Sequence, residues 1–220
     1  MTERLAGYGA VAALASGVVA ALGTAFLFLT FATQASTMLE PTAELTPLDR
    51  AANGLGGLAM LIAIPVAFRL HQSWRAGAPL LSGTALAIGV ISLLANGILL
   101  LVFAAEVFNA NDVGTLSIVP LAGVGLWIIL VSLDRADRPL GDVLRWIGFA
   151  VGVGNLFLLV AFYGGGGTAA VNDPKLVFES PLLLAGVFAS LLSAQIGYPI
   201  WAIWLGRRLQ AQNGRDNIRS

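Results

Sequence analysis

The chain has 220 residues, of which 57% are hydrophobic and 11% charged, with a mean hydropathy of +0.84. Soluble domains carry about 25% charged residues, so a soluble globule of this length could not cover its surface; long apolar stretches with charges between them read as transmembrane helices, and the alternation of β-barrel strands is missing. Formal net charge is zero and cysteine is absent, which removes a global basic field for nucleic acid, disulfide exchange, Cys-ligated zinc and iron–sulfur clusters.

Residues 1–36 have the outline of a signal peptide, with Ala32-Thr33-Gln34-Ala35 as a weak cleavage motif. The apolar run over 8–32 is too long for a signal h-region of roughly 7–15 residues, so it is read as a retained first span. Five further runs are long enough to cross roughly 30 Å of hydrocarbon: 54–70, 80–105, 116–133, 143–163 and 182–205. The expected fold is all-α, a polytopic bundle of six transmembrane helices forming one integral membrane domain over residues 1–220.

The connections carry a strong asymmetry. Ten of the twelve Lys and Arg residues fall on one side of a six-span zigzag: Arg4, Arg69, Arg75, Arg135, Arg138, Arg145, Arg207, Arg208, Arg215 and Arg219. The other side holds only Arg50 and Lys175 and is acidic, with Glu40, Glu44, Asp49, Glu106, Asp112, Asp173 and Glu179. The positive-inside rule then puts both termini in the cytoplasm. An odd number of spans would scatter the arginines.

Local signals refine the element starts. Thr46-Pro47-Leu48-Asp49 places a hydroxyl at an N-cap, Pro at the first helical position and an acid three residues after the cap, so the second helix starts near Pro47. Ser180-Pro181 opens the sixth in the same way. The second, fourth and sixth spans each hold one proline (Pro65, Pro120, Pro199) and end in arginines, as three helical hairpins in tandem would. Any in–out zigzag with cytoplasmic arginines also imitates part of that pattern. Pro199 is expected to kink its helix.

Small residues mark contact faces: Gly9, Ala13, Gly17, Ala21 and Ala25 on the first span, Gly148 and Gly152 on the fifth. In lipid such faces let backbones approach closely. They suit packing within the monomer, or contact with another membrane protein or a second copy. Trp74, Trp146 and Trp204 are expected at the cytoplasmic interface and Tyr163 at the outer one, as an aromatic belt.

The spans hold almost no ionisable groups, the usual mark of a proton relay or ion pathway. Arg69, Glu106, Arg145 and Arg207 sit at span ends, where long side chains reach the interface. His71, the single histidine, reads as interfacial. The lone Lys175 lies in an outer connection, so no span offers a Schiff-base lysine. Gly164 to Gly167 lack the Gly-Lys-Ser/Thr ending of a phosphate loop and read as a flexible linker into a loop whose Val177 and Phe178 are placed to plug a cavity.

Uncharged polar residues are the remaining candidates. Asn96 and Asn155 each lie about eight residues, roughly 12 Å, below the outer ends of the third and fifth spans. Gln195 sits mid-way along the sixth, with Ser92, Ser190 and Ser193 as possible neighbours. Asn96, Asn155, Gln195 and Ser92 would form a small polar pocket in the outer half, or act as interhelical glue worth about 0.6 kcal/mol per contact. No catalytic residue, cofactor or metal ligand is assigned.

The stretch Tyr198-Pro199-x-Trp201-x-x-Trp204-Leu205-Gly206-Arg207 resembles a bacterial family of small six-helix membrane proteins known only as a domain of unknown function. Ile64-Pro65-Val66-Ala67-Phe68-Arg69-Leu70 and Arg138-Pro139-Leu140 share that resemblance. It implies a bacterial inner-membrane protein and transfers no catalytic residues. Three function classes stand as expectations: first a non-enzymatic scaffold or accessory subunit of a membrane complex, then a small transporter or ligand-binding protein using the polar pocket, and last a lipid-modifying enzyme, for which the spans offer no acid–base or nucleophile–base set.

Overall fold

A computed structural model describes residues 8–34, 46–107, 110–133, 141–170 and 175–219. Arg4, Glu3, Glu40, Glu44, Arg135, Arg138, Pro139, Leu140 and Asp173 lie outside the described residues, as do the side chains of Asp112, Lys175, Arg215 and Arg219. The described residues are almost all helical and contain no strand. Six helices are long and apolar enough to cross a membrane.

The first span is Gly9–Gln34. The second is Pro47–Ile62 continued by Ile64–Trp74. The third is Pro79–Ala104, the fourth Ala110–Leu133 and the fifth Asp142–Gly164. The sixth runs from Pro181–Leu192 through a wider turn at Ser193–Gly197 into Tyr198–Arg219. Two short helices, Gly167–Ala170 and Lys175–Glu179, lie between the fifth and sixth. Each span packs against the one before and the one after, and the sixth packs back on the first. The result is a closed ring in chain order.

The second span begins seven residues before its apolar run because Thr46 and Asp49 form a full capping box. The Asp49 amide donates to Thr46 Oγ1 at 3.2 Å, and the Thr46 amide donates to Asp49 Oδ2 at 3.1 Å. Ser180 Oγ accepts from the Leu183 amide at 3.4 Å, so the sixth span starts at Pro181. Pro65 interrupts the second span at Ala63, as a missing N–H and a ring clash require.

Backbones meet closely at glycines. A Cβ on Gly57 would stand 2.7 Å from the Gly97 carbonyl, joining the second and third spans. A Cβ on Gly152 would stand 2.5 Å from the Gly125 carbonyl, joining the fourth and fifth. On the first span Gly17 packs on Ile203 of the sixth, Gly9 on Arg69 of the second, and Ala13 is buried. Gly148 packs on Ser132 and Trp201. Much of the small-residue surface is thus used inside the ring, while Ala21 and Ala25 stay exposed.

Two expectations are corrected. Trp146 and Tyr163 are 71% and 64% exposed, but Trp74 is only 6% exposed and belongs to the core, not to a lipid-facing belt. The glycine run is a packed turn, not a loose linker. The Gly165 amide donates to Ala161 O at 2.7 Å, Gly166 takes φ +80°, and Gly167 lies against the Phe162 ring. The positive φ is what glycine supplies here without steric cost.

Candidate functional site

The two ends of the ring differ. At the end carrying the arginines the interior is filled. Trp127 and Trp201 are each 1% exposed and meet edge to face, with centroids 5.9 Å apart. Leu205, Leu209, Leu144 and Ile128 close around them. Toward the other end the ring encloses a cavity of about 160 Å³.

Five spans line that cavity and the fifth does not. Its polar side chains are Asn53, Asn96, Ser117 and Gln195, and most of the wall is alkyl, including Leu27, Met60, Leu100 and Leu121. None of its described lining residues is ionisable. It extends from the middle of the first and sixth spans, at Ala20 and Gln195, to Leu100, one turn from the end of the third span at Ala104.

Pro199 shapes the polar wall. A helical proline has no N–H for the carbonyl four residues earlier and its ring crowds that carbonyl. Here that carbonyl belongs to Gln195, on the cavity. The helix widens over Ser193–Gly197, and the Tyr198 amide reaches back five residues to Ser193 O. Thr24 Oγ1 of the first span then donates to Gln195 O at 2.8 Å, supplying the missing partner. Gln195 Oε1 (2.9 Å) and Ala20 O (3.0 Å) also lie within reach of this hydroxyl. One hydroxyl hydrogen cannot serve three acceptors, so Thr24 and the Gln195 amide form a shared polar cluster at the wall.

The floor is also tied by hydrogen bonds. Ser16 Oγ donates to Ala59 O at 2.8 Å and lies 2.6 Å from Tyr198 Oη. Ser16 has a single hydroxyl hydrogen, so with that hydrogen on Ala59 the Tyr198 hydroxyl donates to Ser16. All three residues are buried. This links the first, second and sixth spans immediately beneath the cavity.

The residues singled out in the sequence divide. Asn96, 3% exposed, and Gln195 line the cavity. Asn155 and Ser92 are not among its lining residues. Asn155 is 2% exposed on the fifth span, beside Gly125, and its Oδ1 accepts from Ser190 Oγ at 3.3 Å. Ser92 is buried against Gly123 at the third–fourth seam. Asn96 and Asn155 therefore do not share a chamber, because the fourth span stands between the third and the fifth. Neither Val177 nor Phe178 plugs the cavity. Val177 packs in a satellite cluster near Ile118 and Leu183, and Phe178 is 58% exposed.

Three participants escaped the sequence reading. Asn53 lies in the capped, polar start of the second span, before the apolar run that marked it; its Nδ2 donates to Asp49 O at 2.8 Å. Ser117 falls at the start of the fourth apolar run. Thr24 had a signal, since a freed carbonyl at Pro199 needs a donor from a neighbouring helix.

Glu106, the acid at the outer end of the third span, pairs with Arg50 at the second span's first turn. Its φ is +57°. The Glu106 and Val107 amides donate to Phe103 O and Val102 O at 2.9 and 3.1 Å, closing the third span with a Schellman turn. Its side chain is 43% exposed and does not line the cavity.

The chain matches no family model, and no curated protein or solved structure gives a match to it. The resemblance carried by Tyr198 to Arg207 therefore lends no function to this cavity.

Proposed function

We propose that this multi-pass membrane protein holds a small uncharged polar molecule in its half-bundle cavity, as a ligand-binding protein or small transporter. The observation that carries this reading is a cavity lined by Asn53, Asn96, Ser117 and Gln195 with no described ionisable group. A charged ligand would lose its hydration there without a counter-charge. At about 160 Å³ the space is below the ~300 Å³ at which drug-sized pockets begin. Amides and hydroxyls can both give and accept hydrogen bonds, which suits a small polyol, amide or similar neutral solute.

The orientation belongs to the same proposal. Among the described residues Arg69, Arg75, Arg145, Arg207 and Arg208 lie toward the end opposite the cavity, and the sequence zigzag puts ten of the twelve basic residues on that side; the positive-inside rule then supports cytoplasmic termini and a cavity turned outward. A bacterial inner membrane is part of the proposal on the short motif from Tyr198 to Arg207, although no family model matches the chain. One proline in each even span, with arginines at its end, remains the support for an origin from three hairpins.

The test is a thermal-unfolding screen of purified protein in lipid nanodiscs against neutral polyols and amides and their charged analogues. A neutral solute at about 100 times its Kd should stabilise by ~2.7 kcal/mol. Asn96→Leu and Gln195→Leu should abolish that shift, and Ser73→Ala, outside the cavity, should keep it. A shift that survives Asn96→Leu and Gln195→Leu, or one given only by charged solutes, sinks the reading.

The accessory-subunit reading keeps one observation in its favour: Ala21 and Ala25 leave a strip of small residues exposed on the first span. Native mass spectrometry from lipid separates the two. A co-released partner protein supports the subunit reading and a bare monomer contradicts it.

A further inference from the structure

A second concavity lies on the outside of the bundle, at the arginine-rich end of the sixth span. Its walls are Ile200, Ile203, Trp204, Arg207, Arg208 and Ala211, around a volume of about 430 Å³. Those positions are spaced three, one, three, one and three apart, so they form one continuous helical face. We propose that this face binds one anionic phospholipid, with an acyl chain along Ile200, Ile203 and Trp204 and the phosphate on Arg207 and Arg208. The site is separate from the cavity and does not depend on the function proposed for it.

Three features point to that ligand. The first is order along the axis: apolar side chains come first, then a tryptophan, then two guanidinium groups, over about 12 Å from Ile200 to Arg208. A phospholipid presents the same sequence of chemistry from chain to headgroup. The second is availability. Ile200 and Trp204 are 48% and 38% exposed, both arginines are exposed, and neither arginine is in an ion pair among the described residues. The carboxylate at the start of the fifth span, Asp142, lies 3.5 Å from Arg145 instead. The third is placement. Arg208 lies against Gly141, where any side chain would collide with its guanidinium group. The missing side chain leaves the group room beside the fifth span while Arg207 stands one residue away. Guanidinium forks fit phosphate oxygens in pairs. A soluble anion would use the arginines but leave the Ile200–Trp204 wall uncovered.

The experiment uses the full chain in nanodiscs of phosphatidylcholine containing a minority of phosphatidylglycerol, with retained lipid counted by native mass spectrometry. The native protein should release with one tightly held phosphatidylglycerol. In Arg207→Gln/Arg208→Gln the preference over phosphatidylcholine should fall about twenty-five-fold, two surface charges each being worth roughly fivefold. Arg207→Lys/Arg208→Lys should keep most of the preference, which separates lost charge from misfolding; thermal unfolding of each variant checks the fold. Arg75→Gln, at the same end but off the groove, should leave the preference unchanged. Glycerol phosphate added in solution should not displace the lipid, and Ile200→Asn should weaken its retention. Absence of a preference, a preference that survives the Gln pair, equal loss in Arg75→Gln, or displacement by glycerol phosphate each overturns the proposal.

Discussion

Pro199 links the strongest sequence signal in the sixth span to the polar wall of the cavity. By denying Gln195 O its helical partner, it widens the turn at Ser193–Gly197 and recruits Thr24 from the first span. Hydrogen bonds between membrane helices are worth about 0.6 kcal/mol on average and at most about 1.7. Thr24→Val should therefore destabilise the protein by about 1 kcal/mol in equilibrium unfolding. In a Pro199→Ala background the alanine N–H can serve Gln195 O, so the same change should cost clearly less. Equal costs in both backgrounds would refute the link. Glu106 is a weaker case at the same scale: its ion pair with Arg50 is half exposed, and such pairs contribute little.

At the scale of the element, two helix starts were legible, at Thr46 and at Ser180. Thr46, Pro47 and Asp49 announced a capping box, and the structure contains it. Apolar runs located the six helices but not all of their limits: the fourth begins at Ala110 and the sixth continues to Arg219, both through polar sequence outside the apolar runs. A fixed rise per residue puts Asn96 and Asn155 about 12 Å below the outer ends of their spans and Gln195 mid-way along the sixth. Which way each side chain faces around the ring was not legible, since it depends on which helices are neighbours. That is why Asn155 meets Ser190 while Asn96 and Gln195 meet the cavity. Trp74 failed for the same reason: its end-of-span position fits a belt, but its face turns inward. The glycine crossings give a direct check. Gly152→Ala would put a Cβ 2.5 Å from Gly125 O and should cost about 1–3 kcal/mol. Gly83→Ala, with nothing within 4 Å, should be neutral or stabilise by up to about 1 kcal/mol. Urea or SDS unfolding of the two variants reads both signs, and a tolerated Gly152→Ala would contradict the tight crossing.

At the scale of the whole molecule, six helices close into a ring that is packed at one end and hollow at the other. The packed end holds Trp127, Trp201 and Leu205; the hollow end holds amides and hydroxyls among alkyl groups. The charge asymmetry and the filling asymmetry run along the same axis, so the cavity lies at the end opposite the arginines. Absence of cysteine makes this arrangement open to single-cysteine labelling. The most direct test puts one cysteine at Asn96 or Ser117 in the cavity, with Glu179→Cys and Gly77→Cys as references for the two sides and Ser132→Cys for the packed end. With a small membrane-impermeant methanethiosulfonate, we expect the Asn96 and Ser117 cysteines to react from the side that labels Glu179→Cys, and Ser132→Cys to stay protected from both sides. Protection of both cavity positions from that side, or their labelling only from the Gly77→Cys side, would contradict a polar cavity opening away from the arginines.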